Sequence, residues 1–415
     1  MITIVSPWYG PDTAGGAETQ ARSLAQAMRR VGAEVRVWAS TGRDSFHPAN
    51  VPADVDHYPA GHSTVDEIPV WRFRPDSAQQ QNPGREGVPR FFQKHPHLLP
   101  PLEQFSTHEL RLLGTLLSSD ELYEAILAEQ MPNHRFIFIP YAFPTTFWGA
   151  LIAPTQSYVL PCLHDEPYAR YSTYRYLFSQ VRGILCNSHP ERELALRLYD
   201  VEEGRVYVPG EGIDLTPRGD GQRFRERYRE RLCCSPDSSE YPKLLLYAGR
   251  RDESKNIGLL LAYAREYWAR RGSDIRLLLA GRDHIDHTSV PPSLQELVVD
   301  LGYLEQQAKH DAYAAADIFI QPSLYESFSI VLMEAWLQGT PALVHGDCAV
   351  TADHCRRSGG GLSFDSFGSF AAALDILLPQ PALRAAMGER GRQYVLATCC
   401  WEEVARQTLA AVNDV

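Results

Sequence analysis

Asp317-Ile-Phe-Ile-Gln321-Pro-Ser-Leu-Tyr-Glu326-Ser-Phe-Ser329-Ile-Val-Leu-Met-Glu334-Ala335 changes its periodicity within 19 residues. Asp317 to Gln321 is a short apolar run of the kind that is buried on both faces of a sheet. Pro322 breaks it, and Ile330 to Gln338 then repeats apolar residues at helical spacing. Strand, loop and helix in that order form part of a β-α-β unit. Working outward, Lys243 to Ala248, Ile275 to Ala280 and Pro341 to His345 read as further strands. Ile257 to Arg271, Gln306 to Ala316 and Ser369 to Leu378 read as the helices between and after them. Such alternation predicts an α/β domain with a doubly wound parallel sheet, whose ligands lie outside the carboxyl ends of its strands.

The first half carries a second unit of this kind. Residues 1–5 form an apolar run, Gly15-Gly16 follow in a loop, and Ala17, Ala21, Leu24, Ala25 and Met28 recur at helical spacing before a strand over Val35 to Ala39. Phe136 to Pro140, Tyr158 to Pro161, Gly183 to Ser188 and Val206 to Val208 read as more strands, with helices over 107–131 and Pro190 to Tyr199. Residues 44–100 lose the pattern and predict an irregular excursion of loops and short elements. The cluster Pro209-Gly-Glu-Gly212 suits a domain junction. Two domains, 1–212 and 213–397, are therefore expected, two Rossmann-like halves facing each other across a cleft, with 383–412 as one long terminal helix that contains Trp401.

A length of 415 residues agrees with that division at roughly 150 residues or more per domain. Lys plus Arg number 40 against 51 Asp plus Glu, so 40 − 51 = −11, which argues against a protein that coats nucleic acid or an anionic membrane. The eight cysteines show no C-x-x-C pair and no regular framework, so neither a zinc ribbon nor a disulfide scaffold is indicated. The opening Met-Ile-Thr-Ile-Val-Ser lacks a leader's basic region, and no run reaches the length of a membrane span. The expected compartment is the reducing cytoplasm; the sequence sets no oligomeric state.

Two constellations carry chemistry. Glu326 precedes the 330–338 helix and Glu334 follows eight residues later, so both carboxylates can face one ligand, while backbone N–H groups of Ser327, Phe328 and Ser329 at the helix start can receive a phosphate. The plain alternative is an acid complementing the helix dipole and a second acid on the surface. In Gly249-Arg250-Arg-Asp-Glu-Ser-Lys255-Asn256, Arg250 and Lys255 can clamp a diphosphate, one as a planar fork and one as a point charge. Its alternative is a solvated basic turn.

Gly249-Arg250 with Lys255, Glu326 with Glu334, and Gly339-Thr340-Pro341 together resemble the retaining GT-B glycosyltransferases of family 4, glycosyltransferases group 1. The resemblance is specific over 244–347 and looser over 1–43, 158–214 and the Trp401 helix; residues 44–157 match nothing recognisable. It implies a GT-B fold of two Rossmann-like domains, with a terminal helix over about 398–415 crossing back to the first. It also implies a hexosyltransferase that uses a nucleotide-diphosphate sugar, with GDP-mannose ahead of UDP- and dTDP-hexoses, and retains anomeric configuration. The acceptor would be a glycan, a lipid-linked saccharide or a small molecule, as in polysaccharide biosynthesis. By the same resemblance Arg250 and Lys255 hold the diphosphate, Glu334 bonds the ribose, and Glu326 approaches the donor sugar. Gly15 and Gly16 allow close approach of the first loop to the phosphates, and His164 contacts the donor sugar from the N-terminal domain.

The departures are Ser329, where the pattern usually has glycine and a hydroxyl would meet the phosphate, and Asn256, again at a frequent glycine. Preorganised cations at the leaving diphosphate lower the barrier without a metal or other cofactor. Asp54-Val55-Asp56 spells the D-x-D of metal-dependent transferases but falls in the irregular region, where two acids are usually solvated. Arg85, Arg90, Phe91, Phe92 and Lys94 mix cations with aromatics and offer a peripheral contact with the inner membrane face; the alternative is a loop covering the core. Competing functions are a GT-B-like sugar-nucleotide 2-epimerase and a non-catalytic sugar-nucleotide sensor.

Overall fold

Ile2–Ser6 (β1) is buried at every residue, and it lies at the middle of a sheet because strands flank it on both sides. The computed structural model describes residues 1–13, 15–43, 57–76, 87–114, 117–232, 241–272, 275–281 and 297–413. They form two compact units, one of Met1–Gly212 with Trp401–Val415 and one of Ile213–Cys400.

In the first unit the strands are β1, Val35–Ser40 (β2), Gly61–Val65 (β3), Ile68–Phe73 (β4), Arg135–Phe138 (β5), Ser157–Val159 (β6), Gly183–Leu185 (β7) and Val206–Tyr207 (β8), ordered β3-β4-β2-β1-β5-β6-β7-β8. Every pairing is parallel except β3 with β4. Alternate residues serve opposite layers: Ile2 and Ile4 pack with Leu24, Met28 and Trp401, while Val5 and Phe138 belong with Trp148 and Phe178. Trp401 lies so close to Gly212 that a Cβ there would come 2.5 Å from its ring.

Three expectations need correction here. Residues 61–73 are not irregular: they form an antiparallel hairpin whose second strand joins the sheet beside β2. Its turn is Asp66-Glu67, both at positive φ (47° and 64°), as a mirror-image two-residue turn requires, but without the glycine that normally announces one. The 383–412 segment is two helices, Pro381–Thr398 and Trp401–Asn413, broken at Cys399 and Cys400, where Cys399 O accepts from Ile213 N at 3.0 Å and Cys400 bridges Ile213. Phe91 and Phe92 are buried in the core of the first unit, so the aromatic half of the membrane candidate has no surface to offer. Arg85, Asp54 and Asp56 lie outside the described residues. Among those described, no helix is long and apolar enough to cross a membrane.

The second unit holds Lys243–Ala248 (β9), Ile275–Ala280 (β10), Val298–Gly302 (β11), Ile318–Gln321 (β12), Ala342–His345 (β13) and Gly361–Phe364 (β14), all parallel in the order β11-β10-β9-β12-β13-β14. The direction of winding reverses between β9 and β12. Helix Ile330–Leu337, which follows β12, packs against Pro381–Thr398 through glycines: a Cβ on Gly388 would come 1.7 Å from Gly339 O, and one on Gly391 2.5 Å from the Trp336 ring.

Alanine at a helical glycine ordinarily gains about 1 kcal/mol. Because backbone blocks the space at Gly388, Gly388→Ala is expected to lose about 1–3 kcal/mol instead, read as a lower urea midpoint. His134 supplies a pH test. It stacks on Phe136 with centroids 4.5 Å apart, bonds Thr3 Oγ1 at 2.8 Å, and burial pushes its pKa down to about 4. Its unfolded value is about 6.5. The folded state therefore binds this proton less well, and the stabilisation is complete above pH 6.5 and lost as pH falls toward 4. His134→Phe should flatten that part of the wild-type stability profile.

Candidate functional site

The loops that follow β9 and β12 leave the sheet on either side of its winding reversal, which is where an open parallel sheet forms a crevice. Gly249, directly after β9, has φ 151° and bonds Ala280 O at 3.0 Å. A Cβ on the neighbouring Gly281 would come 1.8 Å from Gly249 O, so the ends of β9 and β10 pass at backbone contact. Asp252 caps the next turn, accepting from Lys255 N, and Asn256 adopts φ 56°. This left-handed conformation is why glycine suits that position; Asn tolerates it and spends its amide on Pro322 O at 3.2 Å, tying the two loops together.

Lys255 Nζ lies 2.7 Å from Glu326 Oε1, with the side chains 20% and 12% exposed. Gln321 Nε2 donates to the same oxygen at 2.8 Å, and Ser329 Oγ donates to Gln321 Oε1 at 2.7 Å. The Ser329 hydroxyl is thus engaged inside the protein. Helix Ile330–Leu337 begins only after it, with Ser329 as N-cap at φ 80°, so Ser327 and Phe328 belong to the preceding turn and not to the helix.

Glu334 sits just over one turn into that helix and is buried. Lys309 Nζ lies 2.7 Å from its Oε1 and Tyr313 OH donates to its Oε2 at 3.1 Å. Burial and the Glu334 charge push the Tyr313 phenol well up, which keeps it a donor. Lys309 and Tyr313 are four apart on helix Gln306–Ala315, on one face of one helix. Arg250 is about half exposed and pairs with Asp252 at 3.3 Å, whereas its neighbour Arg251 is buried against Asp300 at 2.6 Å.

The remaining candidates belong to the first unit. Gly15, at φ 137°, caps helix Gly16–Arg30 after β1, and a Cβ there would come 2.1 Å from the Glu18 carboxylate. His164 follows β6 and lies 3.5 Å from Glu166. Its loop is anchored one residue earlier: Leu163 N donates to buried Glu191 at 2.5 Å, and Asn187 N donates to the other oxygen of that carboxylate. The structure therefore brings Lys255 together with Glu326 directly, gives Glu334 its own cation, and ties the strand ends that carry His164 through Glu191.

Residues 235–394 match a family model described as glycosyl transferases group 1. A D-inositol 3-phosphate glycosyltransferase of Catenulispora acidiphila is 30% identical over 265 residues, 60% of this chain and 59% of that protein. The chain thus spans under two thirds of that relative's length. An uncharacterized glycosyltransferase of Methanocaldococcus jannaschii is 22% identical across 98% of this chain and 96% of its own. Among solved structures, Anabaena HepE, in complex with UDP and glucose, superposes with TM-score 0.68 at 12% identity over the whole of both chains. Sucrose-phosphate synthase from Thermosynechococcus elongatus does so with TM-score 0.65 at 18% identity, covering 98% of this chain and 96% of its own. The fold is the GT-B fold of these enzymes.

The Lys255–Glu326 pair is checked by a double-mutant cycle in urea unfolding with Lys255→Met and Glu326→Gln. A coupling of about 1–3 kcal/mol is expected for an ion pair this sheltered; additive effects would mean that the pair is not formed.

Proposed function

We propose that this chain is a nucleotide-sugar-dependent hexosyltransferase acting with retention of anomeric configuration, its donor held at the β9/β12 crevice. The observation that carries the reading is the Lys255–Glu326 pair at that crevice, with Glu334 eight residues on under a separate cation. The match to glycosyl transferases group 1 covers these same residues.

Breaking a sugar–phosphate bond leaves negative charge on the diphosphate and positive charge on the anomeric carbon. Lys255 and Arg250 meet the first of these, and donors fixed beforehand stabilise developing charge without reorganising. Ser327, Phe328 and Ser329, in the turn before the helix, are the further candidates for the phosphates. Glu334 takes the ribose hydroxyls; each of its oxygens already accepts one bond and retains capacity for another, and Lys309 balances its charge. Glu326 bonds hydroxyls of the donor sugar. By the family resemblance, Gly15 and Gly16 are the candidates for the phosphates and His164 for the donor sugar. No side chain is assigned as a nucleophile, so the acceptor hydroxyl attacks from the face the diphosphate leaves, and a diphosphate oxygen takes its proton.

HepE with UDP and glucose favours a uridine donor, so UDP-hexoses come before GDP-mannose, the nucleotide the motifs alone suggested. A glycan, a lipid-linked saccharide or a phosphorylated polyol fits as acceptor, the last because of the relatives that glycosylate D-inositol 3-phosphate. UDP, GDP and dTDP, each free and as its hexose, should be compared by thermal shift, since a ligand that binds only the native state raises its stability. In the donor so identified, Glu326→Ala should abolish transfer while the nucleoside diphosphate still binds; unchanged turnover would sink the assignment.

A further inference from the structure

Glu326 stands in a turn four residues before its helix begins, where no regular backbone geometry aims a side chain. Its carboxylate is held by Lys255 at 2.7 Å and Gln321 at 2.8 Å, both on Oε1. Gln321 comes from the last position of β12 and is only 2% exposed. With Glu326 ionised, the amide has one workable orientation, its N–H toward the carboxylate. The amide oxygen is then buried and needs a donor of its own. Ser329 supplies it at 2.7 Å.

Ser329 does this from an unfavourable backbone. Its φ of 80° lies in the left-handed region, where a residue with a Cβ is disfavoured by about 1–2 kcal/mol and glycine is not. Glycine would relieve the turn but could not donate to Gln321. The amide oxygen would then be unsatisfied, at about 1–3 kcal/mol for a buried acceptor, unless the amide turned to another partner and left Glu326. The hydroxyl bond and the backbone cost are of the same size, so the side chain is tolerated there for what it contacts.

We infer that Ser329 and Gln321 are positioning residues that act through Glu326. The relay Ser329–Gln321–Glu326–Lys255 sets the carboxylate's direction at the crevice, and the inference rests on Glu326 being the group that meets the donor sugar. A residue needed only for the turn and one needed for the relay predict opposite results when Ser329 becomes glycine. The turn alone would be improved. The relay would be broken.

The test uses the full chain, with UDP-glucose and GDP-mannose as donor probes and release of UDP or GDP as the readout. Ser329→Gly should keep or raise the thermal midpoint, keep UDP or GDP affinity and the donor KM within about twofold, and lower kcat about tenfold, the scale of a mis-aimed catalytic contact. Gln321→Met should lower kcat at least as far. The double variant should be no slower than Gln321→Met, because Ser329 acts only through the amide. A wild type that binds none of UDP, GDP and dTDP, free or as the hexose, removes the glycosyltransferase reading and the relay with it. An active wild type whose kcat survives Ser329→Gly, or whose two losses multiply in the double variant, overturns the relay alone.

Discussion

β9 is paired in parallel on both sides, with β10 on one edge and β12 on the other, and the chain reaches those neighbours by winding in opposite directions. Parallel strands need crossovers that return over a face of the sheet, so the loops leaving β9 and β12 diverge and a gap opens at their carboxyl ends. The Lys255–Glu326 pair joins those two loops. Gly249 to Asn256 line one side of the gap and Pro322 to Ser329 the other, and the Asn256 bond to Pro322 O holds the rims at a fixed spacing. The first unit repeats the reversal between β1 and β5, and the glycine loop follows β1.

The two glutamates face the same electrostatic problem and solve it separately. A carboxylate withdrawn from water needs a cation or several donors near it. Glu326 draws Lys255 from the loop after β9, while Glu334 draws Lys309 from the helix before β12. Neither cation has to serve both carboxylates, so each pair is balanced on its own. The overall charge of −11 has little bearing on the site, since the relevant balance is struck within a few ångströms.

Where the sequence could be read, physics made it readable. β9 and β10 are apolar runs buried on both faces, and their bounds in the structure coincide with the runs. Helix Pro144–Ile152 went unread for the same reason carried further: all nine of its residues are buried, so it has no polar face and no helical period. The β3–β4 hairpin was hidden by a turn made of Asp66 and Glu67. The break at Cys399 and Cys400 was hidden because neither residue interrupts a helix by its own chemistry. In the candidate site, Lys255, Glu326 and Glu334 were legible because a short loop and one helix fix their spacing. Gln321 reads only as the end of a strand, and nothing in the local sequence marks Lys309. Their partners are chosen by where β12 and helix Gln306–Ala315 lie in space, which no local pattern encodes.

The tie between Ile213 and Cys399–Cys400 has a genealogical side. The second unit is a single uninterrupted stretch of chain whose first and last residues are bonded to each other, whereas the first unit is split around it. A segment with adjoining ends can be inherited, lost or replaced as a cassette without rethreading its host. The match to the group 1 family model, 235–394, lies inside that cassette.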